Sequence, residues 1–382
     1  MHPPLPTARD RLLFTPGPLT TSLPVKQAML RDFGSRDADF IAVIAEVRAA
    51  LLQVAGVSTA QGYEAVLMQG SGTFAIEAVV SSAIAPDGKL LVVANGAYGE
   101  RIARIAAAPR IATTTLSCEP NQQPDVVRIE QLLADDPAIT DVAVVHCETT
   151  SGIMNPIGAI GQLVKQRGKT YLVDSMSAFG AVPFDFEACQ IDYLVSSANK
   201  CLEGVPGFAF VICRRAALAA SAGRARTLSL DLYAQWRGLE ANGQFRFTPP
   251  THAILACRQA LRELESEGGV AARAARYRHH HALLVRGMRE LGFQPYVPPA
   301  LQGWIITSFL YPRDPRFEFE DFYTRLSQQG YLIYPGKVSQ ADCFRIGNIG
   351  RLFAADIQAL LAAIRQALDD MGIALPLSTQ EA

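Results

Sequence analysis

Between about residue 60 and residue 213, short apolar runs alternate with stretches of helical periodicity. The runs lie at 64–68 (EAVLM), 89–94 (KLLVVA), 111–116 (IATTTL), 141–146 (DVAVVH), 169–174 (KTYLVD), 192–195 (DYLV) and 208–213 (FAFVIC). Most are rich in Val, Ile and Leu without polar alternation, as in strands covered on both faces of a parallel sheet. Helical spacing at 73–85 and 98–107 separates them, so the pattern reads as successive βαβ units. One link differs. The segment 196–207 (SSANKCLEGVPG) is too short and too rich in Gly and Pro for a crossover helix, which predicts one antiparallel strand. A helix is predicted over 251–267, running off a Pro pair with Ile254, Leu255 and Leu261 inward and Gly268-Gly269 as its stop. After Gly292 the pattern becomes strand (305–311), helix (318–329), strands (331–334 and 344–349) and a last helix from Ala354. The expected fold is therefore α/β, a mostly parallel seven-stranded sheet with one antiparallel strand, plus a smaller C-terminal α+β domain. The division expected is an N-terminal arm at 1–20, a large domain at 21–270 and a small one at 271–382.

Composition narrows the class. The 382 residues are 49% hydrophobic and 19% charged, which rules out disorder and allows a large core. Lys and Arg total 35 against 36 Asp and Glu, a net charge of −1, so neither nucleic acid nor an anionic membrane surface is the expected partner. No apolar run approaches about 18 residues, so no membrane-spanning helix is expected. The start, MHPPLPTARDRLLF, shows neither a signal-peptide core nor a small-residue cleavage site. Seven cysteines without CxxC spacing read as reduced thiols. The expectation is a soluble, cytoplasmic protein of enzyme-like size.

Three segments could carry chemistry. The first is Gln69-Gly70-Ser71-Gly72-Thr73-Phe74, which follows a strand and opens a helix. Two glycines allow close backbone approach, free N–H groups and the helix dipole favour an anion, and the Ser71 and Thr73 hydroxyls add donors. It also fits the loose dinucleotide pattern G-x-G-x-x-A, but the next strand ends Val93-Ala94-Asn95-Gly96, without the acid that would hold a ribose. The second is Asp174, a carboxylate after near-apolar residues at a parallel strand's carboxyl end, which needs a partner to offset its desolvation. Alone, it reads as a helix cap or an internal ion pair. The third is Lys200, in Ser196-Ser197-Ala198-Asn199-Lys200, where desolvation would lower the amine's pKa and make it nucleophilic. Alone, it reads as a solvated strand-end lysine.

All three fall on one edge of one sheet. Pyridoxal phosphate chemistry requires that set: a cradle for its phosphate, an acid for its pyridine nitrogen and a lysine for the Schiff base.

Longer motifs carry a resemblance. They are LLFTPGPLTTS at 12–22, QGSGTFAIEA at 69–78, VVHCETTSGIMNP at 144–156, VDSMSAFG at 173–180 and IDYLVSSANKCLEGVPGFAFVI at 191–212. LSLDLY at 228–233, RFTPPTH at 246–252, YPGK at 334–337 and FRIGNIG at 344–350 complete the series. In this order they resemble the class V aminotransferases of pyridoxal-phosphate fold type I. The closest resemblance is to the branch moving an amino group from 2-aminoethylphosphonate to pyruvate. The resemblance implies that Lys200 carries the cofactor, Asp174 binds its ring nitrogen, and Ser71, Gly72, Thr73 and Asn199 hold its phosphate. It implies Tyr98 stacked on one ring face, Met176 on the other, and Thr150 near the ring hydroxyl. Thr248 and Thr251 would reach the phosphate of a neighbouring subunit, implying a homodimer, and Arg345 would grip the substrate's acidic group. A guanidinium fork suits both substrates, since phosphonate and carboxylate each accept bidentate bonds. The chain departs from the family pattern at Arg36, where a Trp is expected, at Gln244-Phe245 in place of Lys-Trp, and conservatively at Ser151. The first two bear on donor choice, leaving an alanine- or serine–glyoxylate aminotransferase as the alternative and an NAD-dependent oxidoreductase as a distant one.

Other features read as bland. His279, His280 and His281 are consecutive and point ~100° apart on a helix, so they cannot chelate one metal. His146 reads as a hydrogen-bonded core residue. Arg273, Arg276 and Arg278 beside Glu263, Glu265 and Glu267 read as a solvated helical face. Ser197–Lys200 spells S-x-x-K but lacks the partner motifs of a serine hydrolase, and that motif belongs on a helix. Gly168-Lys169-Thr170 precedes a strand, where a P-loop would follow one.

Overall fold

The structure, a computed structural model, describes residues 10–336 and 341–377. Seven strands form the central sheet: β1 (Tyr63–Gln69), β2 (Lys89–Ala94), β3 (Ala112–Ser117), β4 (Ile139–Val145), β5 (Thr170–Asp174), β6 (Tyr193–Ser197) and β7 (Phe208–Arg214). Their order is β1-β7-β6-β5-β4-β2-β3. Only β7 runs against its neighbours, pairing antiparallel with β1 and β6, as the short 196–207 link requires. Strands β5, β6 and β7 are almost wholly buried because helices cover both faces. The Thr-rich β3 is half exposed because it forms the sheet's edge.

Helices α1 (Ala38–Val54), α2 (Gly72–Ala83), α3 (Ala97–Ala107) and α4 (Thr251–Glu267) flank the sheet. Ile254, Leu255 and Leu261 of α4 face inward, as their spacing predicts. Gly268, at φ +106°, ends α4, but the chain then turns straight into α5 (Gly269–Glu290). The glycine pair is thus a joint between two helices.

Beyond α5, strands β8 (Ile306–Leu310), β9 (Tyr334–Pro335) and β10 (Cys343–Gly347) form an antiparallel sheet in the order β8-β10-β9. It packs with helices Phe319–Gln328 and Ala354–Asp370 around a second apolar cluster that includes Phe293, Phe309, Phe322 and Phe344. The predicted strand at 331–334 is divided between two partners. Tyr331–Leu332 pairs in parallel with Leu12–Leu13, while Tyr334–Pro335 joins β10. Through that pairing, Phe14 enters the second cluster. No described helix is long and apolar enough to cross a membrane.

Candidate active site

The carboxyl ends of the parallel strands converge on a pocket of about 190 Å³. Strand β1 delivers Ser71, Gly72 and Thr73; β2 leads to Tyr98; β5 ends in Asp174 with Met176 just beyond; β6 leads to Asn199 and Lys200. All eight line the pocket, together with Arg101 and Ser177. A larger groove, about 550 Å³, lies between α1 and α4 and contains none of these groups.

The anion cradle has the expected local form. Helix α2 begins at Gly72, so the N–H groups of Gly72 and Thr73 have no partner inside the helix. Among the described residues, the Ser71 and Thr73 hydroxyls and the Asn199 amide make no hydrogen bond within the protein. Gly72 has a steric reason as well. A Cβ there would stand 2.3 Å from Met176 Sδ, so a side chain at this position would push the thioether out of its place beside the helix start. The dinucleotide reading fails structurally: Asn95, where its acid would stand, exchanges amide hydrogen bonds with Asn155 and donates to the Gln122 carbonyl.

Asp174 is buried, and its carboxylate has one hydrogen bond from the protein among the described residues, from the Met176 N–H at 2.9 Å. Burial pushes it up to about 6, and the nearby Glu148 adds to the rise against the pull of Met176, Lys200 and Arg101. Lys200 is half-buried and donates from Nζ to the Pro16 carbonyl at 2.6 Å. Burial pushes its amine down to about 8, although Cys201 and Asp174 draw it upward. Both shifts suit proton transfer near neutral pH.

The other expected residues stand further out. Thr150 does not line the pocket; its hydroxyl donates to Glu148 and accepts from the Ala97 N–H at 3.2 Å. Arg345, on β10, is buried and also lies outside the lining. Its guanidinium donates to the Thr149 carbonyl (2.8 Å) and twice to the Pro335 carbonyl (3.0 and 2.8 Å), above the Tyr334 ring. Three of its five N–H groups are used within the protein, and the other two donate to no described residue. Thr248 is exposed and Thr251 half-buried, and neither lines the pocket. The main chain at Phe247 and Thr248 is tied to the cradle by the Gln69 side-chain amide. Lys337, the end of the YPGK motif, lies outside the described residues. Arg36 is exposed and Phe245 belongs to the main core, so neither departure lines the pocket.

Some residues escaped the sequence reading. Glu148 is completely buried and accepts from the Tyr98, Gly99 and Thr150 N–H groups at 3.2, 3.3 and 3.1 Å, fixing the start of α3. The signal was an acid inside the buried run VVHCETT, which demands compensation. Arg101 sits three residues after Tyr98, with its guanidinium 4.8 Å from that ring.

The basic stripe is a correction. Arg273 is fully buried, bonded to Glu267 at 2.7 Å and to the Cys201 carbonyl at 2.8 Å. Arg276 bonds Glu267 and Glu203, and Arg278 lies 4.1 Å over the Trp304 ring. The loop after Lys200 folds onto this face, which helical periodicity cannot foresee. Glu203 donates its N–H to the Lys200 carbonyl (2.7 Å) and accepts from the Tyr277 hydroxyl, so the cluster braces the lysine turn. His146, by contrast, is the core residue expected: buried, 3.1 Å from the Ser175 hydroxyl and pushed down to about 3 by burial. Ser197 ends a strand and Lys200 follows in a turn, so S-x-x-K is not on a helix. Among the described residues, no group of three His, Cys, Asp or Glu is arranged for a metal.

The class-V aminotransferase family model matches residues 25–340. The 2-aminoethylphosphonate–pyruvate transaminase of Salmonella paratyphi B is 55% identical over 364 residues, covering 95% of this chain and 99% of that protein. The chain belongs to the class-V aminotransferases, in the 2-aminoethylphosphonate–pyruvate transaminase family. Two solved aminotransferase structures superpose on it. Ureidoglycine–glyoxylate aminotransferase from Bacillus subtilis gives a TM-score of 0.88 at 23% identity, over 96% of this chain and 95% of its own. Pyridoxamine–pyruvate aminotransferase from Mesorhizobium loti gives 0.87 at 25%, over 97% and 95%.

Proposed function

We propose that this enzyme transfers the amino group of 2-aminoethylphosphonate to pyruvate, giving phosphonoacetaldehyde and L-alanine, with pyridoxal 5'-phosphate as cofactor. The 55% identity to a curated relative of that activity, over nearly the whole of both chains, carries the reading. The residues present fit the cofactor: unpartnered donors at the α2 start, a buried acid with one protein bond, and a desolvated amine in one pocket. When bound, pyridoxal phosphate supplies an aldehyde carbon that exchanges amines and a ring that draws electrons from the substrate's C–H bond.

The α2 N-terminus, Ser71, Thr73 and Asn199 would hold the phosphate, with Tyr98 and Met176 lining the pocket beside it. Asp174 would hold a proton at the ring nitrogen, which its buried carboxylate, with one hydrogen bond from the protein, favours. Lys200 Nζ takes the proton from the substrate carbon and returns it, a task suited to an amine titrating near 8. Thr150, fastened to Glu148 and the start of α3, acts by holding Tyr98 in place. Arg345 orients the acidic group of either substrate through its two remaining N–H groups. In this reading the chain divides into an arm at 1–20, a cofactor-binding domain at 21–270 and a small domain at 271–382. Thr248 and Thr251 serve the partner's cradle in a homodimer, and the exposed Phe74 and Phe247 near the cradle are consistent with a covered face.

A coupled assay of alanine formation, run with a panel of amino donors against pyruvate, tests the substrate. Fast turnover of 2-aminoethylphosphonate is expected. No turnover with it, alongside good turnover of alanine or serine with glyoxylate, would move the enzyme to a sister branch. Arg345→Lys is expected to raise KM for both substrates by about tenfold, because a lysine cannot bind two oxygens at once. An effect on pyruvate alone would place the phosphonate elsewhere.

A further inference from the structure

The segment Thr15-Pro16-Gly17-Pro18 lies against the side chain of Lys200. The Pro16 carbonyl accepts from Lys200 Nζ at 2.6 Å. Gly17, at φ +112°, has no room for a side chain: a Cβ there would stand 2.8 Å from Lys200 Cδ and 2.9 Å from Nζ. The chemistry of the segment is one-sided. Neither proline has an N–H, and the Gly17 N–H is turned back to the Thr15 hydroxyl, which itself donates to the Pro18 carbonyl at 2.6 Å. Beside the amine the segment therefore presents the Pro16 carbonyl as an acceptor, with no free N–H at residues 16–18.

It is also firmly mounted. Leu12–Leu13 pairs with Tyr331–Leu332, Phe14 N–H donates to Leu332, and Gly347 N–H donates to the Phe14 carbonyl at 3.0 Å. A Cβ on Gly347 would stand 2.4 Å from the Thr15 carbonyl oxygen. Gly347 ends the strand that carries Arg345, so the carbonyl at Pro16 and the guanidinium fork ride on one piece of structure.

We propose that residues 15–18 form a positioning strap for the catalytic amine, with the Pro16 carbonyl as its dock whenever Lys200 is free and Gly17 as the opening that admits it. The strap sets where the amine waits relative to a substrate held by Arg345. Pro16 and Gly17 are positioning residues, and the inference rests on the reading that Lys200 is the catalytic amine.

The test is Gly17→Ala in the full chain, with Thr15→Val as a milder variant that frees the strap without adding bulk near the lysine. Lys200 labelling by trinitrobenzenesulfonate in the cofactor-free chain is followed by peptide mass spectrometry across pH. Asp174, Cys201, Arg345 and Arg101 face the amine and are unchanged in both variants. Displaced from the dock toward water, the amine is expected to label with a midpoint about one pH unit higher in Gly17→Ala, and less so in Thr15→Val. In the holoenzyme, kcat should fall about tenfold with KM for pyruvate nearly unchanged, because Arg345 is intact. A folded Gly17→Ala chain with the wild-type midpoint overturns the strap; if that variant does not fold, an unchanged midpoint in Thr15→Val does so. Full turnover in Lys200→Ala would instead defeat the underlying assignment of the lysine, and the two failures are therefore distinct.

Discussion

Lys200→Ala is expected to lose turnover by about ten-thousand-fold or more, because one substitution removes both the nucleophile and the group that moves the proton. The cradle is built from other residues. Ser71, Gly72, Thr73 and Asn199 keep their positions when the lysine stem is cut, so inorganic phosphate should still protect the chain against thermal unfolding. The variant should fold, since the turn after β6 is held by other groups: Glu203 N–H on the residue-200 carbonyl and Arg273 on the Cys201 carbonyl. Purified wild-type protein loaded with cofactor should be yellow and bleach with borohydride, while the variant shows no reduced adduct at residue 200. Retained turnover would remove the lysine from its role.

Asp174→Asn should slow turnover about 10²- to 10⁴-fold, the range for losing a positioned proton holder. It should also make the cofactor-free chain more stable, and the sign follows from linkage. The folded carboxyl titrates near 6 and its ordinary value is 3.8, so the folded state holds the proton more tightly. That contribution to stability is present below about pH 4 and is lost as pH rises through 6. At pH 7 the wild-type chain carries a buried charge that costs about 3 kcal/mol, and a neutral amide does not. Thermal unfolding of the two cofactor-free proteins should therefore coincide near pH 4 and separate by several degrees at pH 7, the variant melting higher. Equal midpoints across this range would mean that Asp174 is not desolvated. A buried carboxylate with one hydrogen bond from the protein is destabilising at neutral pH, and a cationic partner in the pocket would offset that cost.

Much of the site was legible because its chemistry is tied to strand ends. The sheet strands announce themselves by continuous apolar runs, and in a parallel sheet their carboxyl ends face one rim. Asp174 ends such a run, and Ser71 and Lys200 follow one within five residues, so knowing the strands placed all three. The short 196–207 link alone fixed the antiparallel strand, since no helix fits in it. The motifs added Tyr98, Met176 and Asn199, and the pocket contains all of them.

Other features depended on segments distant in sequence. Arg273 and Arg276 have the spacing of a solvated stripe, and nothing in α5 itself says that Glu203, some 70 residues earlier, will fold beneath them. Burial of an ion pair is decided by both partners and by what covers them, and periodicity reports only one helix. The same holds for Glu148, whose carboxylate is satisfied by N–H groups at the start of α3, and for Arg345, oriented by carbonyls of Thr149 and Pro335. Amino-acid sequence determined the strands, the helix starts and the identity of the acid, the amine and the anion cradle, because those follow from local pattern and side-chain chemistry. Tertiary structure decided what each group touches: that the amine meets the Pro16 carbonyl, that the acid is desolvated, and that an arginine stripe becomes a buried brace. Contacts between residues far apart in the chain arise only when the sheet brings the ends of its strands together.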